Sequence, residues 1–304
     1  MTDQEALSHL QRVAGLAGVD SSAARLPASR NAVLGGRRFH YLAWGDEGLP
    51  PVLFLHGGNQ SAHTWDVVCL ALSRRYHCVA LDQRGHGDSE WSYELDYRPE
   101  AHALDIERLA DHLGWGRFVI VGMSMGCMNA LQFAGTRPER LLGFVAVDAG
   151  PYVEIEGGQR IVDFVEGNRS HATLDGFVAA AMRFNTRRAP ELLRHSLRHT
   201  VREMADGTFQ WRADRRQSVK VEDMVEALQT MRALVPRITC PALVVRGAES
   251  RVFSEEGMLR FGRELPDGAH ITIPDAGHTV QGDNPRALIA ALEDFLATRA
   301  YTKR

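Results

Sequence analysis

The feature that most constrains the fold of this chain is a series of short apolar runs that alternate with longer helical patterns. The runs end at glycine, aspartate or other turn residues. They are RRFHYLAW (37–44), PVLFLHG (51–57), YHCVALD (76–82), RFVIVG (117–122), LLGFVAVD (141–148), PALVVRG (241–247) and AHITIPDAG (269–277). Several are apolar at consecutive positions, as is typical of strands covered on both faces. The pattern predicts an α/β fold, with a mostly parallel central sheet covered by helices on both faces.

One block, residues 151–237, interrupts this alternation. It has little strand signal, is rich in helix-forming residues and arginine, and holds nearly as many acidic as basic side chains. We therefore predict a helical cap at 151–237, inserted between two late strands, and a core made of residues 1–150 and 238–304. Apolar residues at helical spacing also predict a helix at about residues 2–18. This helix would pack on the body or on a partner copy, so a homodimer stays open.

Charge and composition argue against several classes of partner. The chain has 304 residues and a formal net charge of −3, which gives no electrostatic reason to expect nucleic acid or an anionic membrane. No apolar run approaches the roughly 20 residues of a membrane helix. Asp3 and Glu5 stand where a signal peptide would be basic. The four cysteines are scattered without a CxxC pair, so we expect a reduced, cytoplasmic setting with no metal and no cofactor.

The segment VGMSMGCMNAL, residues 121–131, has the strongest signal for chemistry. Gly122, Ser124 and Gly126 have G-x-S-x-G spacing and stand between a predicted strand and a predicted helix. A serine hydroxyl is a weak nucleophile unless it is held exposed beside a base, which a tight strand-to-helix turn achieves. Ser124 is therefore the candidate nucleophile. The N–H of Met125, at the start of the helix, is the candidate donor to an oxyanion.

Four motifs make the chain resemble the α/β-hydrolase family from about residue 31 to residue 299. In the family's order they are FLHGGNQSAHTW (54–65), DQRGHGDS (82–89), VGMSMG (121–126) and PDAGHTV (274–280). The resemblance implies that Gly58 supplies the second oxyanion N–H, because in the family this donor lies two residues after the HGG histidine. It also implies that His278 is the base, because the family's histidine occupies the loop between the last strand and the last helix.

The acid that orients this histidine has two candidates. Most of the family places it three residues beyond the glycine of the strand read here as PALVVRG, a position that Ser250 holds, with Glu249 one residue out of step. Other members place it at the end of the earlier strand, where Asp148 closes LLGFVAVD. VDAGP together with RGAES resembles that second subset. We therefore predict Asp148 as the acid, Glu249 as the alternative, and Ser250 as a fourth member that bonds the histidine or the acid.

Other polar and aromatic side chains are candidates for contact with a substrate. They are Asn59, His63 and Trp65 after the HGG motif, and Arg246, Arg183, Arg187 or Arg188 as clamps for a substrate carboxylate. His195 and His199 form an i, i+4 pair that could hold a metal ion. The sequence indicates no third ligand for them, so a solvated helix face is the preferred interpretation.

Together the motifs and the resemblance predict a hydrolase that cleaves a small-molecule ester or related acyl bond through a Ser124 acyl-enzyme. A C–C bond, amide, enamide or lactone hydrolase would use the same triad, so the sequence does not separate these. Epoxide hydrolases and haloalkane dehalogenases are disfavoured, because their relatives carry aspartate where this chain has Ser124. A ligand-binding signalling protein of the same fold is the alternative from a different class.

Overall fold

The structure is a computed structural model that describes residues 2–22, 24–216 and 221–302, with the side chains of 221–224 excepted. Met1, Ala23 and residues 303–304 of the predicted core, and residues 217–220 of the predicted cap, lie outside the described residues.

The strands form a large central sheet and a small second one. Their bounds are β1 (Ala28–Leu34), β2 (Arg37–Trp44), β3 (Pro51–Leu55), β4 (His77–Leu81), β5 (Phe118–Met123), β6 (Leu141–Val147), β7 (Ser170–His171), β8 (Val201–Glu203), β9 (Phe209–Trp211), β10 (Ala242–Gly247) and β11 (Gly268–Ile273). The central sheet has eight strands in the order β1-β2-β4-β3-β5-β6-β10-β11. β2 runs antiparallel to both its neighbours, and every other pair is parallel. The predicted mostly parallel sheet is confirmed.

The helices follow the strands in the expected alternation. They are α1 (Asp3–Leu16), α2 (Asp66–Leu72), α3 (Pro99–His112), α4 (Met125–Thr136), α5 (Ile155–Gly167), α6 (Leu174–Phe184), α7 (Pro190–Thr200), α8 (Val221–Leu234), α9 (Glu255–Glu264), α10 (Val280–Asp283) and α11 (Pro285–Phe295). A 3₁₀ turn at Ala62–Trp65 precedes α2. Among the described residues, no helix combines the length and the apolar character that crossing a membrane requires.

Two apolar clusters, one on each face of the sheet, explain the continuous apolar runs of the sequence. In β5, Phe118 and Ile120 belong to the cluster that α3, α4 and α9 cover. Val119 and Val121 belong to the other cluster, which α2 and α11 cover. Because successive side chains of a strand point to opposite faces, a sheet with two covered faces needs apolar residues at consecutive positions.

The chain leaves the sheet after β6 and returns at the neighbouring strand β10. The segment between them holds α5 to α8 and an antiparallel sheet in the order β7-β9-β8. Phe209 and Trp211 lie in β9, and Trp211 packs against Phe177 with ring centroids 4.8 Å apart. Strands of two or three residues are too short to show a two-residue period, which is why the sequence suggested helices alone.

Four elements of the core were not predicted, namely β1, α2, α9 and the short α10. β1 pairs at the edge of the sheet, and five of its seven residues are exposed, so it lacks an apolar run. The helix expected near the amino terminus is present as α1. It packs against α2 and α7 of its own chain.

Candidate active site

Ser124 occupies the sharp turn between β5 and α4. Its backbone has φ 52° and ψ −120°, a conformation that is strained for a residue with a side chain. A Cβ atom on Gly122 would lie 2.3 Å from the carbonyl oxygen of Gly126, and one on Gly126 would lie 2.4 Å from the carbonyl oxygen of Leu55. Only glycine fits at both positions. The glycines of the motif therefore allow the turn that leaves Ser124 partly exposed.

His278 lies between Ser124 and Asp148. Its Nε2 is 3.0 Å from Oγ of Ser124, and its Nδ1 is 2.8 Å from Oδ2 of Asp148. Because a carboxylate only accepts hydrogen bonds, Nδ1 carries the proton and Nε2 is left to accept one from the serine hydroxyl. The structure thus brings together the serine, the histidine and the preferred acid named from the sequence.

Asp148 follows β6 and is completely buried, with 0% of its surface exposed. Its Oδ1 accepts the N–H of Gly247 at 2.8 Å, and its Oδ2 accepts the hydroxyl of Ser250 at 2.5 Å. The Ser250 oxygen in turn accepts the N–H groups of Val252 and Phe253. Ser250 therefore bonds the acid and also shapes the loop after β10.

Glu249 has a different partner. Its Oε2 accepts Nε of Arg187 at 2.6 Å, and the two side chains are partly exposed. The next residue along the chain, Ser250, is the one that turns toward Asp148. In this structure Asp148, and not Glu249, contacts His278.

The loop after β3 lies beside Ser124. A Cβ atom on Gly57 would be 3.2 Å from Cβ of Ser124, and the Gly57 N–H donates to Oε1 of Gln60 at 3.1 Å. No described residue accepts a hydrogen bond from the N–H of Gly58 or of Met125. These two N–H groups are therefore available to a ligand at the serine.

A buried network of hydrogen bonds around His56 and Gln83 supports the loop after β3. Burial lowers the pKa of His56, so its ring stays neutral. Its Nδ1–H donates to the carbonyl of Gly57 at 2.8 Å, and its Nε2 accepts the N–H of Gln83 at 3.0 Å. The Gln83 side chain donates to the carbonyl of His56 and accepts from Asn129 of α4. Sequence reasoning missed Gln83 and Asn129, because nothing in either segment shows that they meet.

Residues 50–285 match the family model described as alpha/beta hydrolase fold. The chain belongs to the α/β-hydrolase family. The match covers most of the chain, including the loop after β3, the Ser124 turn and His278.

Individual relatives extend over nearly the whole of this α/β hydrolase. Esterase Rv0045c of Mycobacterium tuberculosis is 32% identical over 274 residues, which are 85% of this chain and 86% of the esterase. A solved structure of that esterase has a TM-score of 0.78 at 28% identity and covers 94% of this chain and 97% of its own.

A second relative, 2-(acetamidomethylene)succinate hydrolase of Mesorhizobium japonicum, is 28% identical over 255 residues, which are 81% of this chain and 88% of the relative. A crystal structure of E-2-(acetamidomethylene)succinate hydrolase has a TM-score of 0.76 at 26% identity and covers 89% of this chain and 99% of its own. The family and these relatives support a hydrolase, with an esterase as the more similar of the two.

Two of the residues predicted to contact substrate have structural partners in this α/β hydrolase. Trp65 is completely buried, with 0% exposed, and packs on Phe54 with ring centroids 5.2 Å apart. It is a core residue, contrary to the prediction. Arg246 donates Nε–H to the carbonyl of Phe253 at 2.9 Å and so supports the loop that contains Ser250.

The other two predicted contacts, Asn59 and His63, lie between β3 and α2, near the loop after β3. Asn59 is half-buried and follows Gly58 with a left-handed backbone, φ 56°. His63 is half-buried as well, and its Nδ1 lies 2.9 Å from Oδ2 of Asp66.

Two successive arginines of the α6–α7 connection hold the loops around His278. The side chain of Arg188 is buried, and its guanidinium donates to Oδ1 of Asp283 and to Oγ1 of Thr279, the residue after the histidine. Asp283 also accepts the N–H of Gly277 through Oδ2 at 3.0 Å. Arg187 bonds Glu249, whose N–H donates to the carbonyl of Ala276 in the histidine loop. The segment between β6 and β10 is thus tied to the histidine loop by ion pairs.

Proposed function

We propose that this protein hydrolyses an ester or a related acyl bond of a small molecule through a covalent Ser124 acyl-enzyme. The observation that supports this most strongly is the hydrogen-bonded series from Ser124 through His278 to Asp148, with separations of 3.0 and 2.8 Å. In this arrangement Nε2 of His278 takes the hydroxyl proton as Oγ of Ser124 attacks the acyl carbon. Buried Asp148 holds the ring in the required tautomer and stabilises the imidazolium that forms.

The N–H groups of Gly58 and Met125 are the proposed donors to the oxyanion. They carry no other hydrogen bond among the described residues, and Met125 stands at the positive end of α4. When the tetrahedral intermediate collapses, the bond to the leaving oxygen breaks and His278 returns its proton to that oxygen. Water, deprotonated by His278, then attacks the acyl-enzyme, which releases the carboxylic acid and restores Ser124.

The substrate class rests on the relatives. Similarity to an esterase over 85% of this chain favours an ester. Similarity to 2-(acetamidomethylene)succinate hydrolase favours, as the second candidate, a bond between an acyl group and a nitrogen. Both candidates use the same nucleophile and the same oxyanion donors, so they differ only in the leaving group that His278 protonates.

Labelling with a fluorophosphonate, followed by peptide mapping, tests the nucleophile. We expect a single adduct on Ser124 and turnover of p-nitrophenyl acetate, both lost in Ser124→Ala and both kept in Ser8→Ala, which changes an exposed serine of α1. Labelling without turnover of esters or anilides would favour a ligand-binding protein. Absence of the Ser124 adduct, or hydrolysis that survives Ser124→Ala, would overturn the proposal.

A comparison of leaving groups separates the two substrate classes. p-Nitrophenyl acetate and p-nitroacetanilide share the acetyl group and differ in the leaving group. We expect kcat/KM to be higher for p-nitrophenyl acetate, the ester. A higher kcat/KM for the anilide or for an N-acetyl enamine would instead support the second candidate.

A further inference from the structure

A second group of titratable side chains lies where α7 meets the core, and it uses none of Ser124, His278 and Asp148. His63 stands on the 3₁₀ turn before α2, Asp66 begins α2, and His199 is on α7. One ligand atom from each residue lies within 4.8 Å of those of the other two. The rings of His63 and His199 stack, with centroids 3.6 Å apart and planes inclined by 19°.

Asp66 is the buried anion of this group, with 4% of its surface exposed. Its Oδ2 lies 2.9 Å from Nδ1 of His63 and 3.0 Å from Nε2 of His195. Its Oδ1 has no hydrogen-bond partner among the described residues. A buried carboxylate oxygen without a partner is costly, and a cation at this position would satisfy it.

The two histidines have nitrogens to offer. Within the described part of the chain, Nε2 of His63 makes no hydrogen bond, and neither does either nitrogen of His199. Both residues are only half-buried, so solvent can reach them. An imidazole whose nitrogen is unprotonated and unengaged is a ready ligand for a transition metal.

A directed series of hydrogen bonds supports Asp66 from behind. Arg12, which is always a donor, lies 3.0 Å from Nδ1 of His9, so Nε2 of His9 carries that ring's proton. That Nε2 is 3.1 Å from Nδ1 of His195, which leaves Nε2–H of His195 to donate to Asp66. Support of a ligating carboxylate by such outer hydrogen bonds is a regular feature of metal sites.

A similar group elsewhere in the molecule shows what a completed cluster looks like. His40, Asp82 and Asp88 also lie close together. There His40 uses both nitrogens, bonding Ser29 and Asp82, and both oxygens of Asp82 accept hydrogen bonds. In that group the nitrogens of His40 and the oxygens of Asp82 all have hydrogen-bond partners. Among the described residues, the group around Asp66 instead leaves one carboxylate oxygen and several ring nitrogens without a partner.

We propose that His63, Asp66 and His199 bind a divalent first-row transition metal ion, with Zn²⁺ as the probe, and that the ion ties α7 to the core. Two imidazoles and one carboxylate suit such metals better than Mg²⁺ or Ca²⁺. Ligand atoms in a tetrahedral zinc site lie about 3.3 Å apart, so ion binding requires the stacked rings of His63 and His199 to turn until their nitrogens and Asp66 converge on one point.

The sequence had paired His195 with His199 and indicated no third ligand. In the structure the two histidines have different contacts. His195 donates a hydrogen bond to Asp66, whereas His199 stacks on His63. The ligands come from the core and from α7, which is why metal binding should restrain that helix. This inference does not depend on the proposed hydrolase function.

Zn²⁺ titration of the chelator-treated full chain tests the proposal. We expect one Zn²⁺ per chain by calorimetry, a raised Tm, and slower hydrogen exchange in the peptide that covers α7 but not in the one that covers α9. His199→Gln should weaken Zn²⁺ binding at least about tenfold and abolish these effects. His112→Gln, which changes an exposed histidine of α3, should bind Zn²⁺ as the wild type does.

Three outcomes would overturn the site. The first is unchanged Zn²⁺ affinity in His199→Gln. The second is binding that survives in His199→Gln and is lost in His278→Gln, which would place the ion at the serine site. The third does not depend on any variant folding: anomalous scattering at the zinc edge from wild-type crystals should give a peak between His63, Asp66 and His199, and a peak elsewhere contradicts the proposal.

Discussion

Ser250 donates its hydroxyl hydrogen to Oδ2 of Asp148 at 2.5 Å, the same oxygen that receives Nδ1–H of His278. One residue from the loop after β10 thus supports an acid that follows β6. The acid and its support are about a hundred residues apart in the chain, and they meet because β6 and β10 are neighbours in the sheet.

The choice between the two candidate acids can be tested directly. Asp148→Asn should lower kcat by a factor on the order of 10⁴, because the amide favours the wrong tautomer of His278. Glu249→Gln removes only a partly exposed ion pair with Arg187, so its kcat should stay within a few-fold of wild type. Steady-state kinetics on one ester compare the two, and a larger loss in Glu249→Gln would reverse the assignment.

Ser250 is expected to position Asp148 and not to react itself. Ser250→Ala deletes a hydrogen bond to a buried charge, commonly about 1.5–3 kcal/mol, so kcat should fall roughly 10- to 100-fold with little change in KM. The matched control is Ser254→Ala, which removes the cap of α9 and should lower Tm without lowering kcat at 25 °C. Equal effects of the two variants on kcat would show that Ser250 acts only through stability.

The glycine two residues after Ser124 is required by close packing. In Gly126→Ala the new Cβ would meet the carbonyl oxygens of Leu55 and His56 at 2.4 and 2.6 Å, so the loop after β3 must move. We expect a loss of about 1–3 kcal/mol in the free energy of unfolding, together with a large loss of kcat. Gly158→Ala in α5 meets no atom within 4 Å and should stabilise by about 0.4–1 kcal/mol. Chemical denaturation of both variants checks this, and a Gly126→Ala protein of normal stability and activity would contradict it.

Buried histidines should make the fold sensitive to mild acid. Burial, with a smaller effect from nearby His56, lowers the pKa of His86 from 6.5 to about 3. Below pH 6.5 His86 is therefore protonated in the unfolded chain but stays neutral in the folded chain. The stability from this residue is complete above pH 6.5 and is lost as the pH falls toward 3, at about 1.4 kcal/mol per pH unit.

Urea unfolding of wild type and His86→Asn at pH 8, 7, 6 and 5 measures that contribution. Between pH 6 and 5 the free energy of unfolding should fall less in the variant than in the wild type. Between pH 8 and 7 it should change by the same amount in both proteins. The carboxylate of Asp82 does not interfere in this range. Burial opposes its ionisation, but hydrogen bonds from His40 and from backbone N–H groups lower its pKa to about 2, so it loses stability only below about pH 4. If the free energy of unfolding changed with pH equally in both proteins between pH 6 and 5, His86 would not be the source of the acid sensitivity.

Local chemistry made the central sheet and the Ser124 turn predictable. Strands covered on two faces need apolar residues at consecutive positions, and a turn in which Gly122 and Gly126 touch backbone allows nothing larger. These requirements lie within a few residues, so the sequence displays them. The amphipathic α1 and the alternation of strands and helices were predictable for the same reason.

Tertiary structure decided what depends on residues far apart in the chain. Asp148 and Glu249 were both plausible acids, and only the order of β6 and β10, with the direction in which Ser250 turns, puts Asp148 against His278. Trp65 is apolar enough either to line a pocket or to fill a core, and its burial on Phe54 assigns it to the core. The meeting of His63, Asp66 and His199 likewise comes from the docking of α7 on the core, and no spacing along one segment could have shown it.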